Sequence, residues 1–344
     1  NEIGDTRERA RAAAKAVLGL ALMGFFLWLA FRRIALGEFW LALKNARLFP
    51  VLQFVGIQFA AFLLRAWRWR ALLSEDGESL PFVRVFAALC VGYAVNSAVP
   101  RGGEIARVLF LRRLTGASAT RGLGAVVLER LLDLAALLIL FPPAMLFYRE
   151  GLSRLIPGLG QAAWGTLGIT ALGLALAWAF GRRPEKTLRL LRAALQKVWP
   201  SREAQVARMG ENFLRGMGGL FQKRKAAEIS ALSVGIWALH ILGIWFLFFS
   251  FPFGGNFSSG AGAAIAVSFV VVVAFVIPSP GGAGTVHYLA GHTLTALFAV
   301  PAAEALAYAT VLHASGTLIP LILGGAFAAF MHPVRQNDSS PPGT

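Results

Sequence analysis

Apolar residues run along this chain in stretches too long for the strands or half-exposed helices of a soluble domain. A helix needs about 20 mostly apolar residues to cross a bilayer. Runs of that kind occupy 17–31, 50–73, 122–148, 161–180, 229–251 and 302–331, the first short but extendable. Two more, 82–114 and 260–300, are interrupted: the first over 96–103, at Pro100 and the Gly102-Gly103 pair, the second over 278–284, at Pro278, Pro280, Gly281, Gly282 and Gly284. The pattern predicts an all-α polytopic membrane protein with about six full spans and two oppositely oriented re-entrant helical hairpins, an inverted-repeat-like plan.

Composition sharpens this. Of 344 residues, 57% are hydrophobic and 15% charged, against about 45–50% and about 25% in soluble domains. An ordinary soluble enzyme, a disordered chain and a fibre are all excluded. Lys and Arg number 33 against 17 Asp and Glu, a net charge of +16. In a soluble protein that excess would suggest nucleic acid; in so apolar a chain it points to an anionic lipid surface, with no nucleic-acid partner. The one cysteine, Cys90, lies in an apolar run and reads as filler.

Basic segments set the orientation. The stretch 182–228, from Arg182 and Arg183 to Lys223, Arg224 and Lys225, belongs in the cytoplasm. Counting outward places 149–160 and 252–259 outside and both tails, 1–16 and 332–344, inside a bacterial cytoplasmic membrane. The domain expected is then 17–331, with 182–228 as a cytoplasmic amphipathic insertion. The count requires each interrupted run to leave on the side it enters. Arg32, Arg33, Lys44 and Arg47 fall in the first external loop, against the positive-inside trend. The first run lacks an A-x-A cleavage site and reads as a retained span; 336–344 reads as disordered. Within the insertion, Leu188, Leu191, Leu195 and Val198, then Val206, Met209, Phe213, Met217, Leu220 and Phe221, recur at helical spacing. They predict two amphipathic helices, lying either on the inner leaflet or on the protein's own inner face.

Candidate chemistry gathers at the breaks and at charges inside apolar runs. Around the first break stand Asn96, Arg101, Gly102, Gly103, Glu104 and Arg107; a helix restarting near Glu104 would present free amides, and Arg101 a fork, to a headgroup phosphate. Ionisable residues at mid-bilayer are costly and mark function or helix-to-helix glue. Glu129 and Asp133, four apart, share a helix face, and Arg130 can pair with Asp133. They suggest a network facing a polar cavity, or an ion-pair cluster at the inner interface. Arg65, Arg68 and Arg70, interleaved with Trp67 and Trp69, read as interfacial anchors; Arg65, the deepest, is a secondary candidate for a lipid phosphate. His287 and His292 are five apart, which does not suit a helical metal pair, and polar helix contacts suit His292. No metal, cofactor or catalytic set is expected, and no phosphate-binding G-x-x-x-x-G-K-[ST] is present, so ATP is not used directly.

Taken in order, Asn96-x-x-x-Pro100-Arg101-Gly102-Gly103-Glu104-x-x-Arg107, Glu129-Arg130-x-x-Asp133 and Pro278-x-Pro280-Gly281-Gly282-x-Gly284 resemble the transmembrane domain of lysylphosphatidylglycerol synthases, which also occurs alone in flippase-like (UPF0104) membrane proteins. The resemblance covers roughly 17–331. It implies transbilayer movement of an anionic or aminoacylated phospholipid. It also implies a stand-alone flippase-like protein, since the soluble synthase domain that charges the lipid has no counterpart in these residues. Where the family commonly has a Glu after the second break and an Arg in the last span, this chain has His287 and His313, so the two rings are expected to touch.

The leading expectation is a lipid flippase or scramblase with a midplane polar cavity, whose partner is an anionic phospholipid or a polyprenyl-phosphate-type lipid. Its substrate-binding residues would be those of both breaks together with Arg107, Glu129, Arg130, Asp133, His287 and His313. The alternatives are a membrane-embedded enzyme acting on lipid headgroups through Glu104, Glu129 and His287, and a non-transporting lipid-binding partner protein.

Overall fold

A computed structural model describes residues 2–74, 80–155, 157–217, 223–253 and 260–331. The described residues form thirteen α-helices and no strand, as a chain that must satisfy its backbone without water requires. They are α1 (Glu2–Phe31), α2 (Leu36–Lys44), α3 (Leu48–Leu73), α4 (Phe82–Ala98), α5 (Gly103–Thr115), α6 (Ala119–Leu155), α7 (Leu159–Arg182), α8 (Pro184–Val198), α9 (Glu203–Met217), α10 (Lys223–Phe248), α11 (Ala261–Val276), α12 (Thr285–Phe298) and α13 (Ala302–Phe330).

Four helices have the length and apolar content of a membrane span: α3, α7, α10 from Arg224, and α13. The pair Val17–Phe31 and α2, bent by 85° at its break, makes five if counted as one span. The remaining run of the sequence forecast, 122–148, lies in α6, a 37-residue helix with Pro142 and Pro143 inside and a non-helical Tyr148 (φ −133°, ψ 27°). The forecast first external loop is largely the helix α2, with Phe39 and Ala42 buried and Leu36, Trp40 and Leu41 exposed. Arg32 at its edge lies 5.0 Å over the Trp28 ring.

Both interrupted runs are helical hairpins. α4 stops at Ala98, α5 restarts at Gly103, and the two pack on each other; α11 and α12 do the same around 277–284. Asn96 and Ser97 therefore close α4, and the first break is narrower than its sequence suggested. The α4–α5 crossing is tight because Gly92 faces Gly103. A Cβ on Gly103 would lie 1.9 Å from the Gly92 carbonyl oxygen, and one on Gly92 would lie 2.7 Å from the Gly103 carbonyl oxygen.

Each hairpin has its own apolar core. One core joins α3, α4, α5 and α6 through Phe62, Trp69, Leu89, Val108 and Leu128. The other joins α10, α11, α12 and α13 through Ile244, Val267, Leu289, Ala305 and Tyr308. α13 ties the halves, packing on α12 and on α4, where Gly324 meets the Cys90 carbonyl.

In the basic insertion, α9 packs on the protein's own α6. A Cβ on Gly124 would lie 2.2 Å from the Phe213 carbonyl oxygen, and one on Gly216 would lie 2.1 Å from that of Arg121. α8 rests on α9, with Leu191 against Gly210. α9 thus packs on the protein's own surface, and Leu190, Trp199 and Met209 remain exposed. The side chains of Val198 and Met217, residues Leu220 and Phe221, positions 254–259 of the forecast loop and the forecast disordered tail 336–344 lie outside the described residues, as do the side chains of Arg7, Arg9, Arg11 and Lys15.

Candidate functional site

The tips of the two hairpins meet. Arg101 Nη2 donates to the Val276 carbonyl at 3.4 Å, and the Gly281 backbone packs on Ser97. α1 closes over the junction where it has no side chain to interfere. A Cβ on Gly19 would lie 3.3 Å from Pro100 Cγ, 3.5 Å from the Pro278 oxygen and 3.6 Å from Pro280 Cδ. One turn on, Gly284 abuts the Met23 carbonyl at 2.5 Å in the same sense. So Asn96, Arg101, Gly102, Gly103, Pro280, Gly281, Gly282 and Gly284, far apart in sequence, come to one place.

Backbone geometry there is specialised. Arg101 has φ 61°, a left-handed conformation that costs a non-glycine residue about 1–2 kcal/mol. Gly281 (φ 57°), Gly282 (φ 77°) and Gly284 (φ 80°) adopt it without penalty. Asn96 Oδ1 accepts the Gly103 amide at 2.8 Å, so this side chain caps α5 and takes one of the amides forecast as free for a headgroup. Ser279 Oγ and Thr285 Oγ1 lie 2.9 Å apart, and Thr285 donates to the Gly282 carbonyl at 3.0 Å. One flank stays open: Val99, Arg101, Phe275, Val276 and Pro278 are exposed. Glu104 is half-buried, and its Oε2 has no hydrogen-bond partner among the described residues.

His287 and His313 touch, with ring centroids 4.9 Å apart. The Gly284 amide donates to His287 Nδ1 at 3.3 Å, and His313 Nε2 lies 2.9 Å from the Gly281 carbonyl, an acceptor. The amide requires a bare Nδ1 and the carbonyl a protonated Nε2, so both tautomers are fixed by the loop itself. His292 stands apart, exposed, stacked on Tyr288 and bonded by Thr295.

Below the tips lies a cluster of charges. Arg107 binds Glu129 with both terminal nitrogens, at 3.1 and 3.2 Å, and its guanidinium lies 4.7 Å over the Trp69 ring. Arg130 also binds Glu129, and it reaches Asp133 at 3.5 Å. Arg68 Nη2 donates to Asp133 at 2.8 Å and Nη1 to Ser233 Oγ at 3.2 Å; Arg65 lies 3.9 Å from Asp133. Among the described residues, four guanidiniums thus share two carboxylates, which leaves the cluster with an excess of positive charge. Arg68, Arg107 and Glu129 are sealed from solvent, whereas the Arg65 and Arg130 side chains are 22% and 44% exposed.

The forecast of Arg68 and Trp69 as interfacial anchors is corrected: both are fully buried, Arg68 within the cluster and Trp69 against Arg107. Glu129 is buried too, at 1% exposure. Trp67 does sit at the surface, donating to Glu228 at 3.1 Å. Reading the sequence missed four contributors: Gly19, Gly92, Arg68 and Trp69. The i, i+3 pair Arg65 and Arg68 in an apolar helix was a usable signal for Arg68; the two glycines carried none.

Apolar helices of spanning length, two helical hairpins and buried charge define a multi-pass membrane protein. The chain belongs to the family described as the lysylphosphatidylglycerol synthase TM region, whose sequence profile matches residues 16–324. It is similar to a UPF0104 membrane protein of Pyrococcus horikoshii, 24% identical over 286 residues that cover 76% of this chain and 81% of that one. No solved structure matches it.

Proposed function

We propose that this protein moves an anionic or aminoacylated phospholipid, or a related lipid phosphate, between the leaflets of a bacterial cytoplasmic membrane in which both its termini face the cytoplasm. The observation that carries the reading is the uneven charge of the cluster. Ion pairs that only glue helices balance, because an unpaired charge in an apolar layer is costly. Here two positive charges are left over, and the two accessible side chains, Arg65 and Arg130, hold them. A phosphodiester neutralises that excess with charge-assisted hydrogen bonds.

The hairpin junction supplies the way in. Arg101 stands at its open flank, where a headgroup leaves the bilayer while its acyl chains stay outside. The free Glu104 oxygen suits an ammonium, as on an aminoacyl group. Asn96, Gly102, Gly103, Pro280, Gly281, Gly282 and Gly284 shape the junction, His287 and His313 brace its second loop, and Arg107, Glu129, Arg130 and Asp133 hold the cationic field.

The test is leaflet exchange of fluorescent phosphatidylglycerol and phosphatidylcholine in proteoliposomes, read with a membrane-impermeant quencher. Wild type exchanges the anionic lipid faster. Arg101→Ala and Glu104→Ala abolish exchange without unfolding. Arg65→Gln with Arg130→Gln removes two charge-assisted bonds, each worth about 1.5–3 kcal/mol, and slows exchange at least about tenfold. Wild-type rates in all these variants, or equal rates for the two lipids, refute the reading.

A further inference from the structure

One histidine plays no part in the site described above. His240 on α10 stands at the contact of α10, α11 and α3. Its Nδ1 donates to the Ser268 carbonyl on α11, and its Nε2 is buried with no hydrogen-bond partner among the described residues. With Nδ1 protonated, a neutral ring presents Nε2 as a bare lone pair. Two more orphans adjoin it: Trp237 Nε1, whose ring centroid is 5.7 Å from that of His240, and Ser268 Oγ. A donor, a hydroxyl and an acceptor with nothing to bind are the usual lining of a buried water.

The register of α3 against α10 links this spot to the cationic cluster. Arg68 lies beside Ser233, Leu64 beside Gly235, and Phe54 with Ile57 beside Gly243, so the helices run antiparallel. His240 therefore sits about a turn and a half from the level of Arg65, near enough for the guanidinium charge to act on it. Ser233, Trp237 and His240, spaced i, i+4 and i+7, make one polar stripe up the inner face of a spanning helix. Of the other elements packed on α10, α11 carries no ionisable side chain. α13 brings Tyr308, which donates to the Ile244 carbonyl, together with Glu304 and His313. α6 brings Glu129, Arg130 and Asp133, the last 3.9 Å from Arg65.

We infer that His240 takes up a proton, delivered by water held among Trp237, Ser268 and its own Nε2, when an anionic headgroup binds at Arg65 and Arg130, so that proton and lipid are carried together. The sign follows from charge. An imidazolium beside Arg65 adds to a cluster already in positive excess, and it is tolerated once a phosphate neutralises Arg65. Equally, a protonated ring strengthens the field that holds the phosphate. Linkage makes the two effects equal. The inference rests on the headgroup site proposed above, and the test separates the two.

The full chain in nonionic detergent is titrated calorimetrically with dihexanoyl phosphatidylglycerol, in paired buffers of different ionisation enthalpy. Wild type is expected to bind about tenfold more tightly near pH 5.5 than near pH 8, taking up a fraction of one proton approaching unity between those limits. His240→Gln is expected to bind with the high-pH affinity at both and take up none, while His292→Gln, at a ring that stands apart from the site, keeps the uptake. Binding without proton uptake by wild type overturns the proton role and leaves the headgroup site standing. Uptake that survives in His240→Gln, or is lost in His292→Gln, overturns it as well. Absence of binding at every pH overturns both readings. Should His240→Gln fail to fold, His240→Asn takes its place with the same expected outcome.

Discussion

Removing Glu129 probes the charged cluster most directly. Its carboxylate accepts two bonds from Arg107 and one from Arg130 while almost fully buried, and Arg107 is covered on one side by Trp69. At the 3.1 Å Arg107–Glu129 separation and an effective dielectric constant of about 20, the attraction is about 5 kcal/mol. Most of it offsets the cost of desolvating the two ions. Truncating one partner exposes that cost, and breaking a buried pair in this way typically loses about 3–5 kcal/mol. Glu129→Ala should fall in that range, at its upper end, because four guanidiniums would then share Asp133 alone. The double variant Arg107→Met, Glu129→Leu removes both charges and fills their volume, and it should recover most of the loss. The assay is reversible unfolding of the purified protein in mixed micelles, read by helicity, with both single variants completing a double-mutant cycle. A loss below about 1 kcal/mol for Glu129→Ala, the range of exposed pairs, would refute the claim that this pair is sealed from water. A double variant no better than the single would refute the claim that unbalanced charge is what hurts.

Two further outcomes test the hairpin junction. Gly103→Ala places a methyl group 1.9 Å from the Gly92 carbonyl oxygen; the crossing must part, at a cost of about 1–3 kcal/mol, and Cys90, now buried in α4, should react faster with a maleimide, whereas an unchanged labelling rate would show that the helices do not cross this closely. His313→Leu removes the donor to the Gly281 carbonyl and should lower stability by about 1 kcal/mol and slow leaflet exchange, while His313→Gln, able to keep a donor there, should stay near wild type in both.

Much of this protein is legible in its sequence. In a bilayer, apolar run length alone commits a segment to a helix, so 50–73, 161–180, 229–251 and 302–331 correspond closely to α3, α7, α10 and α13. Proline and paired glycine at 100–103 and 278–284 stopped helices because one lacks a donor and the other carries no Cβ, and the two breaks are real hairpin tips. The contact of His287 with His313 was expected from the family resemblance alone, and the two rings touch. Tertiary structure alone decided who faces whom. That Gly19 fits over Pro100 and Pro280, that Gly92 admits Gly103, and that Arg68 lies buried within the charged cluster depend on how helices remote in sequence are rotated about their axes. Local apolar periodicity is nearly silent on that rotation in spans that are apolar on every side. The packed interior fixes it, through backbone approaches that only glycine permits and through buried charges that must find one another.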